Sequence, residues 1–310
     1  MGESVAVTIC VPLYKHADTV ERCLRSALAQ DHDDYEILVI DDASGDDGAA
    51  IAREMVRAGD RVVVNDPRLG MAGNHNRCIE MARGELIQFL HGDDELLPEA
   101  LSTLTEAFAE GDDVALAFAP RHVVTEDEDF LSGCGTLHHR FRELNACNDA
   151  DHLISEYVFT GLFSNWIGEP TCVMFRRDAA LRVGGFRADL AQIVDLDLWL
   201  QLSAGHQIAF LNRELSVRHH GDATLSELNR RERRDWIDQP RVLFGVLGSP
   251  FMPARARLYA GLWLVNMYPR TMFDAVFVRH GSRVPRFRDA AALPAREIAR
   301  SRRLRGQLVG

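Results

Sequence analysis

Residues 5–11 form an apolar run, the signature of a strand buried on both faces. The period then changes: Val20, Cys23, Leu24, Ala27 and Leu28 recur at helical spacing, and Asp18, with Glu21 three residues later, is placed to cap that helix. A second buried strand at 37–40 ends abruptly at Asp41-Asp42-Ala43-Ser44-Gly45-Asp46-Asp47. A short strand at 61–64, a helix at 71–82 and a strand at 85–90 follow, the last ending at His91-Gly92-Asp93-Asp94. Pro98 suits the first position of a helix reaching residue 108, and 114–118 reads as another strand. Strand–helix alternation with short links predicts an α/β fold: a mostly parallel sheet with helices on both faces.

From about 121 to 168 the pattern weakens, with clustered acids at 126–129 and the pair His138-His139, and the segment reads as irregular and mobile. Order returns with strands at 171–175 and 208–211 and helices at 178–183 and 195–203. After about residue 229 the chain reads as helical and arginine-rich. The expected division is therefore a nucleotide-binding and catalytic domain over 1–228 and a helical region over 229–310.

Composition adds little until charge is placed along the chain. With 46% hydrophobic and 26% charged residues, 310 residues suffice for one large core and a smaller second unit. Six cysteines without a C-x-x-C pair read as reduced core thiols rather than a zinc cluster. The chain starts with no basic segment leading into an apolar one, and the most apolar late stretch, 258–267, is too short to span a bilayer. A cytoplasmic address is expected, at most peripheral to the inner face of a membrane. The net charge of -11 divides into 18 basic and 40 acidic residues over 1–228, and 17 and 6 over 229–310. Lys15 is the only lysine among the 35 basic residues. The acidic part would repel a diphosphate, so an anionic ligand there needs a bridging cation.

Three acidic groups lie at the ends of apolar segments: Asp41-Asp42, Asp93-Asp94, and Asp195 with Asp197. Strand-end aspartates often only cap helices or shape turns. Three sets in one alternating fold instead suit a ligand edge, where doubly wound sheets place their sites, and carboxylates there can hold Mn²⁺ or Mg²⁺.

The ordered set Val11-Pro12-Leu13-Tyr14, Leu38-Val39-Ile40-Asp41-Asp42-Ala43-Ser44 and Phe89-Leu90-His91-Gly92-Asp93-Asp94 resembles the family-two glycosyltransferases of GT-A fold. Gly70-Met71-Ala72-Gly73-Asn74-His75-Asn76 is similar to the family's Gly-rich segment. Gly168-Glu169-Pro170-Thr171, Phe175-Arg176-Arg177 and Gly184-Gly185-Phe186 resemble its acceptor-side region, and Asp195-Leu196-Asp197-Leu198-Trp199 its base-bearing helix. The resemblance covers about residues 5–226. It implies a Rossmann-like nucleotide-sugar domain in which Pro12, Tyr14 and Asp42 surround the base, Tyr14 by stacking and Asp42 by hydrogen bonding. It further implies that Asp93 contacts the ribose or the metal shell and that Asp94 binds Mn²⁺ or Mg²⁺. Asp195 would take the proton of the acceptor hydroxyl, and one base with one displacement implies inversion. His220 is a further metal candidate from the spacing Arg-x-His, and Trp166 an acceptor platform or else a core aromatic.

Two positions depart from the family pattern: His91 stands where an aspartate is frequent, and Val194 where a glutamate often precedes the base. The Gln-x-x-Arg-Trp signature of processive synthases is absent after Asp195, residues 230–236 having Arg and Trp without Gln, so a non-processive enzyme is expected. Uridine is the expected base, and the acceptor a glycan, a lipid-linked molecule or a small molecule. The alternatives are a non-catalytic nucleotide-sugar-binding protein and a sugar-phosphate nucleotidyltransferase. The latter would want a basic Gly-rich loop after the first strand, and a dehydrogenase would want G-x-G-x-x-G there. The tail arginines (Arg279, Arg283, Arg286, Arg288, Arg296, Arg300, Arg302, Arg303, Arg305) suit a cap facing the acidic body, a partner subunit or an anionic membrane. Nucleic acid is not an expected partner, because aromatics are not interleaved with the basic run.

Overall fold

The computed structural model describes residues 5–109, 113–221, 229, 235–277 and 286–309. The chain opens with β1 (Val7–Leu13), α1 (Val20–Leu28), β2 (Tyr35–Asp41), α2 (Gly48–Met55), β3 (Arg61–Val64), α3 (Gly70–Met81) and β4 (Leu86–Phe89). It continues through β5 (Glu95–Leu96), α4 (Ala100–Ala109), β6 (Val114–Phe118), β7 (Arg121–Val124), α5 (Glu128–Cys134), β8 (Cys147–Asp149) and α6 (Ala150–Phe159). Then come β9 (Val173–Arg176), α7 (Arg177–Val183), α8 (Val194–Ser203), β10 (Gln207–Phe210) and β11 (Ser216–His219). Three further helices, α9 (Asp238–Gly248), α10 (Ala254–Phe277) and α11 (Arg286–Val309), complete the described chain.

Eight strands form one sheet in the order β3-β2-β1-β4-β9-β6-β10-β8. The neighbours β3-β2-β1-β4 and β6-β10 run parallel, while β9 is inserted antiparallel between β4 and β6. The mixed α/β fold with a mostly parallel sheet is therefore present, with β9 and the edge strand β8 as its antiparallel members. A small sheet, β5-β11-β7, stands beside it.

The unbroken apolar runs have a simple cause. Val7, Ile9, Val11 and Leu13 of β1 join one core with Val20, Cys23, Leu24 and Ala27 of α1, while Cys10 turns to the opposite core with Leu38, Ile40 and Phe89. Alternate side chains enter alternate layers, and both layers are dry.

Several expectations change at this level. Asp18 makes no cap: α1 begins after Thr19, whose hydroxyl donates to the Gly92 carbonyl at 2.7 Å and so ties the helix start to the loop after β4. The segment 121–168, expected to be irregular, contains β7, α5, β8 and α6. The six cysteines are all free; four are buried, Cys134 is half-buried and Cys147 exposed.

The C-terminal helices share the core of the body. Val242, Leu243, Val246, Ala256, Ala260, Leu264, Ala290 and Leu293 belong to the same apolar cluster as Phe89 and Trp199. Of the tail arginines, Arg300 reaches Asp197 of α8 at 3.8 Å and Arg296 reaches Asp289 at 3.6 Å. Residues 279, 283 and 230–234 and the side chains of 286 and 305 lie outside the described residues. No described helix is long and apolar enough to cross a membrane.

Candidate functional site

β1, β2 and β4 all end at one edge of the sheet, and the loops that follow them carry the first two acidic groups. Asp41 closes a tight turn by accepting from the hydroxyl and, at 3.1 Å, the backbone N–H of Ser44. Asp42 is buried. Its carboxylate accepts from Asn65 Nδ2 at 2.9 Å, Leu69 N at 2.7 Å and Gly70 N at 2.8 Å, with Arg68 Nε at 3.5 Å. Asp42 thus caps the N-terminus of α3 from another loop, satisfying donors that the helix leaves open. Gly70 allows this because its backbone holds φ +78°, a conformation costly for residues with a Cβ. Pro12 is buried beside this turn, paired in register with Ile40. Tyr14 is half-buried, and the Arg68 guanidinium lies 3.7 Å from its ring centroid. The face expected to stack on a base therefore carries an arginine here.

The loop 91–94 sits close against β1. A Cβ on Gly92 would stand 2.9 Å from Leu13 Cδ1 and 3.1 Å from His16 Cβ, so glycine permits the approach. Arg22 Nη2 holds the Asp93 carbonyl at 2.7 Å. The two neighbouring carboxylates then diverge. Asp94 turns inward, accepting from Thr171 Oγ1 at 2.9 Å and His219 N at 3.2 Å. Burial, with Asp93 and Glu169 nearby, pushes its carboxyl up to about 8. Asp93 stays half-buried, and its carboxylate takes no hydrogen bond or ion pair among the described residues.

His91 faces α3, its Nε2 lying 3.2 Å from Nε2 of His75. Burial lowers both imidazoles, His75 to about 3, so one neutral ring donates to the other.

Asp195 opens α8 and is half-buried. Its Oδ2 accepts from Asn165 Nδ2 at 2.8 Å, and its Oδ1 from Leu196 N at 2.8 Å. Burial lifts this carboxyl to about 6, against the pull of those two donors, and Glu169 adds to the lift. Asn165 is itself held, its Oδ1 accepting from Ile167 N and Gly168 N, both at 3.1 Å.

Glu169 is the common neighbour of these groups. It pairs with Arg121 and, at 3.0 Å, with Arg218, and its charge is felt at His91, Asp94 and Asp195. The two guanidiniums outweigh burial and hold Glu169 below the usual carboxylate range. A continuous chain of contacts therefore runs from Asp42 through α3 and His75 to His91 and Asp94, then through Thr171 to the segment carrying Glu169 and Asn165, and so to Asp195.

Other candidates fall elsewhere. Asp197 is buried and pairs with Arg187 at 3.5 Å and Arg300 at 3.8 Å, away from Asp195. Trp166 is buried with its ring stacked on Tyr157, 5.1 Å between centroids, and its Nε1 bonded to Ser164 Oγ at 3.0 Å. A ring face committed to the core is no platform for a sugar. His220 stacks on Phe130 at 3.7 Å, with Asp127 4.0 Å from its Nε2, and follows His219, whose N–H bonds Asp94.

A divalent cation was expected on Asp94 and His220. Among the described residues no three His, Cys, Asp or Glu side chains are grouped to hold one. Asp94 accepts one bond from Thr171 and one from the backbone of β11, which leaves lone pairs on its carboxylate, and the Asp93 carboxylate beside it takes no such bond among the described residues. Two carboxylates fit an Mg²⁺-like ion when diphosphate oxygens and water complete its shell, which is how such ions are usually held.

Glu169 and Thr171 stand in the segment Gly168-Glu169-Pro170-Thr171 that the sequence assigns to the acceptor side, without roles of their own; Asn165 and Arg68 lie in loops without pattern and were not singled out.

Known proteins resemble this chain in sequence or in fold. The chain is 45% identical over 297 residues to "Uncharacterized protein MT1568" of Mycobacterium tuberculosis, covering 96% of this chain and 92% of that one. Its fold matches a crystal structure of S. aureus TarS 1–349 in complex with UDP-GlcNAc, with TM-score 0.69 and 18% identity, over 97% of this chain and 88% of that one. It also matches the mannosyltransferase PcManGT from Pyrobaculum calidifontis in complex with GDP-Man and Mn²⁺, with TM-score 0.58 and 18% identity, over 99% and 87% of the two chains. The family model described as glycosyl transferase family 2 matches residues 8–184, from β1 through the segment that carries Asp94, Asn165 and Glu169. The protein belongs to glycosyl transferase family 2 and is a nucleotide-sugar-dependent glycosyltransferase of GT-A fold.

Proposed function

We propose that this enzyme is inverting and non-processive, moving a sugar from a uridine diphosphate sugar to an acceptor hydroxyl with Asp195 as general base. The observation that carries the reading is the setting of Asp195: half-buried at the start of α8, oriented by Asn165, and raised to about 6. Such a carboxylate is ionised at neutral pH yet more basic than a free one, as a general base requires. The acceptor oxygen forms its bond to the anomeric carbon as the bond to the diphosphate oxygen breaks, and the hydroxyl proton passes to Asp195. A single displacement inverts that carbon.

Pro12, Tyr14 and Asp42 are the groups proposed for the base. Three donors on Asp42 leave one of about four carboxylate lone pairs for a base N–H. Arg68 must then leave the Tyr14 face or take the opposite side of the base. Asp94 is proposed to hold Mn²⁺ or Mg²⁺ through the lone pairs that Thr171 and the His219 N–H leave it, with Asp93 beside it in the metal shell. When bound, such an ion offsets the charge developing on the diphosphate leaving group. That TarS was crystallised with UDP-GlcNAc and PcManGT with GDP-Man and Mn²⁺ supports this reading of the donor edge. The acceptor class is a hydroxyl on a glycan, a lipid-linked molecule or a natural product. His220 is a further proposed ligand of that ion, and Trp166, stacked on Tyr157 in the core, is given no role.

The test combines two readouts. A thermal-shift series of nucleotide sugars with and without Mn²⁺ should show stabilisation by the true donor, through binding to the native state alone. Asp195→Asn should keep that shift while transfer falls by about 10²–10⁴-fold. Unchanged transfer removes Asp195 from the mechanism, and no shift with any donor and metal removes the donor assignment. Asp93→Asn should abolish the Mn²⁺-dependent part of the shift.

A further inference from the structure

The side of α10 that faces away from the body is apolar along most of the helix. Leu258, Leu262, Val265, Phe273, Val276 and Phe277 are all exposed, Val265 by 77% and Phe277 by 69%. Their spacing gathers them on one stripe, opposite the buried Ala256, Ala260, Leu264 and Thr271. At about 1.5 Å per residue the stripe is about 28 Å long. It continues sideways onto the turn after α6, where the exposed Phe159 and Phe163 sit 5.1 Å from Tyr259 and 5.4 Å from Trp263 of α10. Single exposed apolar side chains are ordinary on a protein surface, but a contiguous run of this extent marks an interaction site.

Charge selects among occupants. The exposed charges of α10 are Arg255, Arg257 and Arg270, and its one acid, Asp274, is half-buried. The strongly acidic segment 1–228 supplies the opposite sign elsewhere on the molecule. A second copy packed two-fold on this stripe would add three more arginines and no exposed acid of its own α10, so the contact would gather positive charge without a partner. An anionic lipid surface meets the Arg255 and Arg270 guanidiniums with phosphates while the apolar residues between them enter the headgroup boundary, Arg257 being turned to the Leu247 carbonyl of α9.

We propose that the α10 face docks this enzyme on an anionic bilayer. The same contact orients the active site. Phe163 lies two residues before Asn165, which holds Asp195, so docking brings the base-bearing end of the molecule to the lipid. The proposal goes beyond the transfer reaction and stands without it.

Co-sedimentation of the full chain with lipid vesicles tests it. The protein should pellet with vesicles of phosphatidylglycerol and phosphatidylcholine, and at least tenfold less with phosphatidylcholine alone. The double variant Leu262→Glu/Val265→Glu, altered only at exposed positions, should lose at least tenfold in partition while keeping its melting midpoint and its donor-induced shift. Arg255→Glu/Arg270→Glu should lose binding in the same direction, and added salt should weaken the wild type. Failure of the wild type to bind anionic vesicles overturns the proposal, as does wild-type binding by the Leu262→Glu/Val265→Glu variant. A lipid-free dimer that the same substitutions dissociate would overturn it too, assigning the face to a second copy. Vesicle binding and the donor shift are separate readouts, so failure of one leaves the other standing.

Discussion

Asp195 is poised by opposing local effects. Burial raises its carboxyl to about 6, while Asn165 and the Leu196 N–H, which both donate to the charged form, pull it down. A base must be deprotonated to act, so kcat/KM should fall with decreasing pH along a limb near pH 6. Asn165→Ala removes a donor to the carboxylate and should move that limb upward, which a pH–rate profile reads directly. The same shift has a stability side. An aspartate near 3.9 when unfolded and about 6 when folded contributes stability that is present at low pH and lost as pH rises through 6. Asp195→Asn should therefore melt at a higher temperature than wild type at pH 7, with the difference shrinking towards pH 4. Single residues also show where sequence reasoning stops. Asp42, Asp93 and Asp195 were legible as candidates, because carboxylates at apolar segment ends stand out. Which of Asp93 and Asp94 turns inward was not legible: it is decided by Thr171 and by the backbone of β11, far away in sequence.

Among the elements, α8 is held at its first turn by charges rather than by apolar contact alone. Asp197 meets Arg187 and Arg300, and Arg187 also meets Asp189 at 2.9 Å and Glu297 of α11 at 2.9 Å. Asp197, Arg187 and Glu297 are all nearly fully buried. Arg187→Ala would leave two carboxylates inside without that partner, and should cost about 3–5 kcal/mol in denaturant unfolding. Glu297→Gln, which keeps shape and hydrogen-bonding capacity, should cost less. The long strands through residue 118 and the helices α1, α3 and α4 were legible from their apolar patterns, whereas α2 was not named from sequence. Within 121–168, α6 buries Ala150, Leu153, Ile154, Tyr157 and Val158 at helical spacing and was legible though not named, whereas α5 buries none of its side chains and β8 is a three-residue edge strand. Such elements carry no apolar period, and their positions are set by partners such as β10 and β11.

For the whole molecule, the sharp change of charge near residue 229 marks no break in packing. α9, α10 and α11 complete the apolar layer that covers one face of the main sheet, and Leu243, Val246 and Ala260 are as dry as Phe89. A chain ended at residue 237 should therefore be insoluble or melt far below the full protein, rather than yield a stable catalytic core. Expression and a melting curve decide this. The near absence of lysine leaves one side-chain amine in 310 residues. It is the exposed Lys15, on the turn after β1, with its Nζ 5.4 Å from the Tyr14 ring. Mild acylation will place a fluorophore or a mass tag on a lysine side chain at that one point, beside the cleft proposed for the nucleotide. Occupancy of the cleft can then be followed as shielding of a single chemical handle.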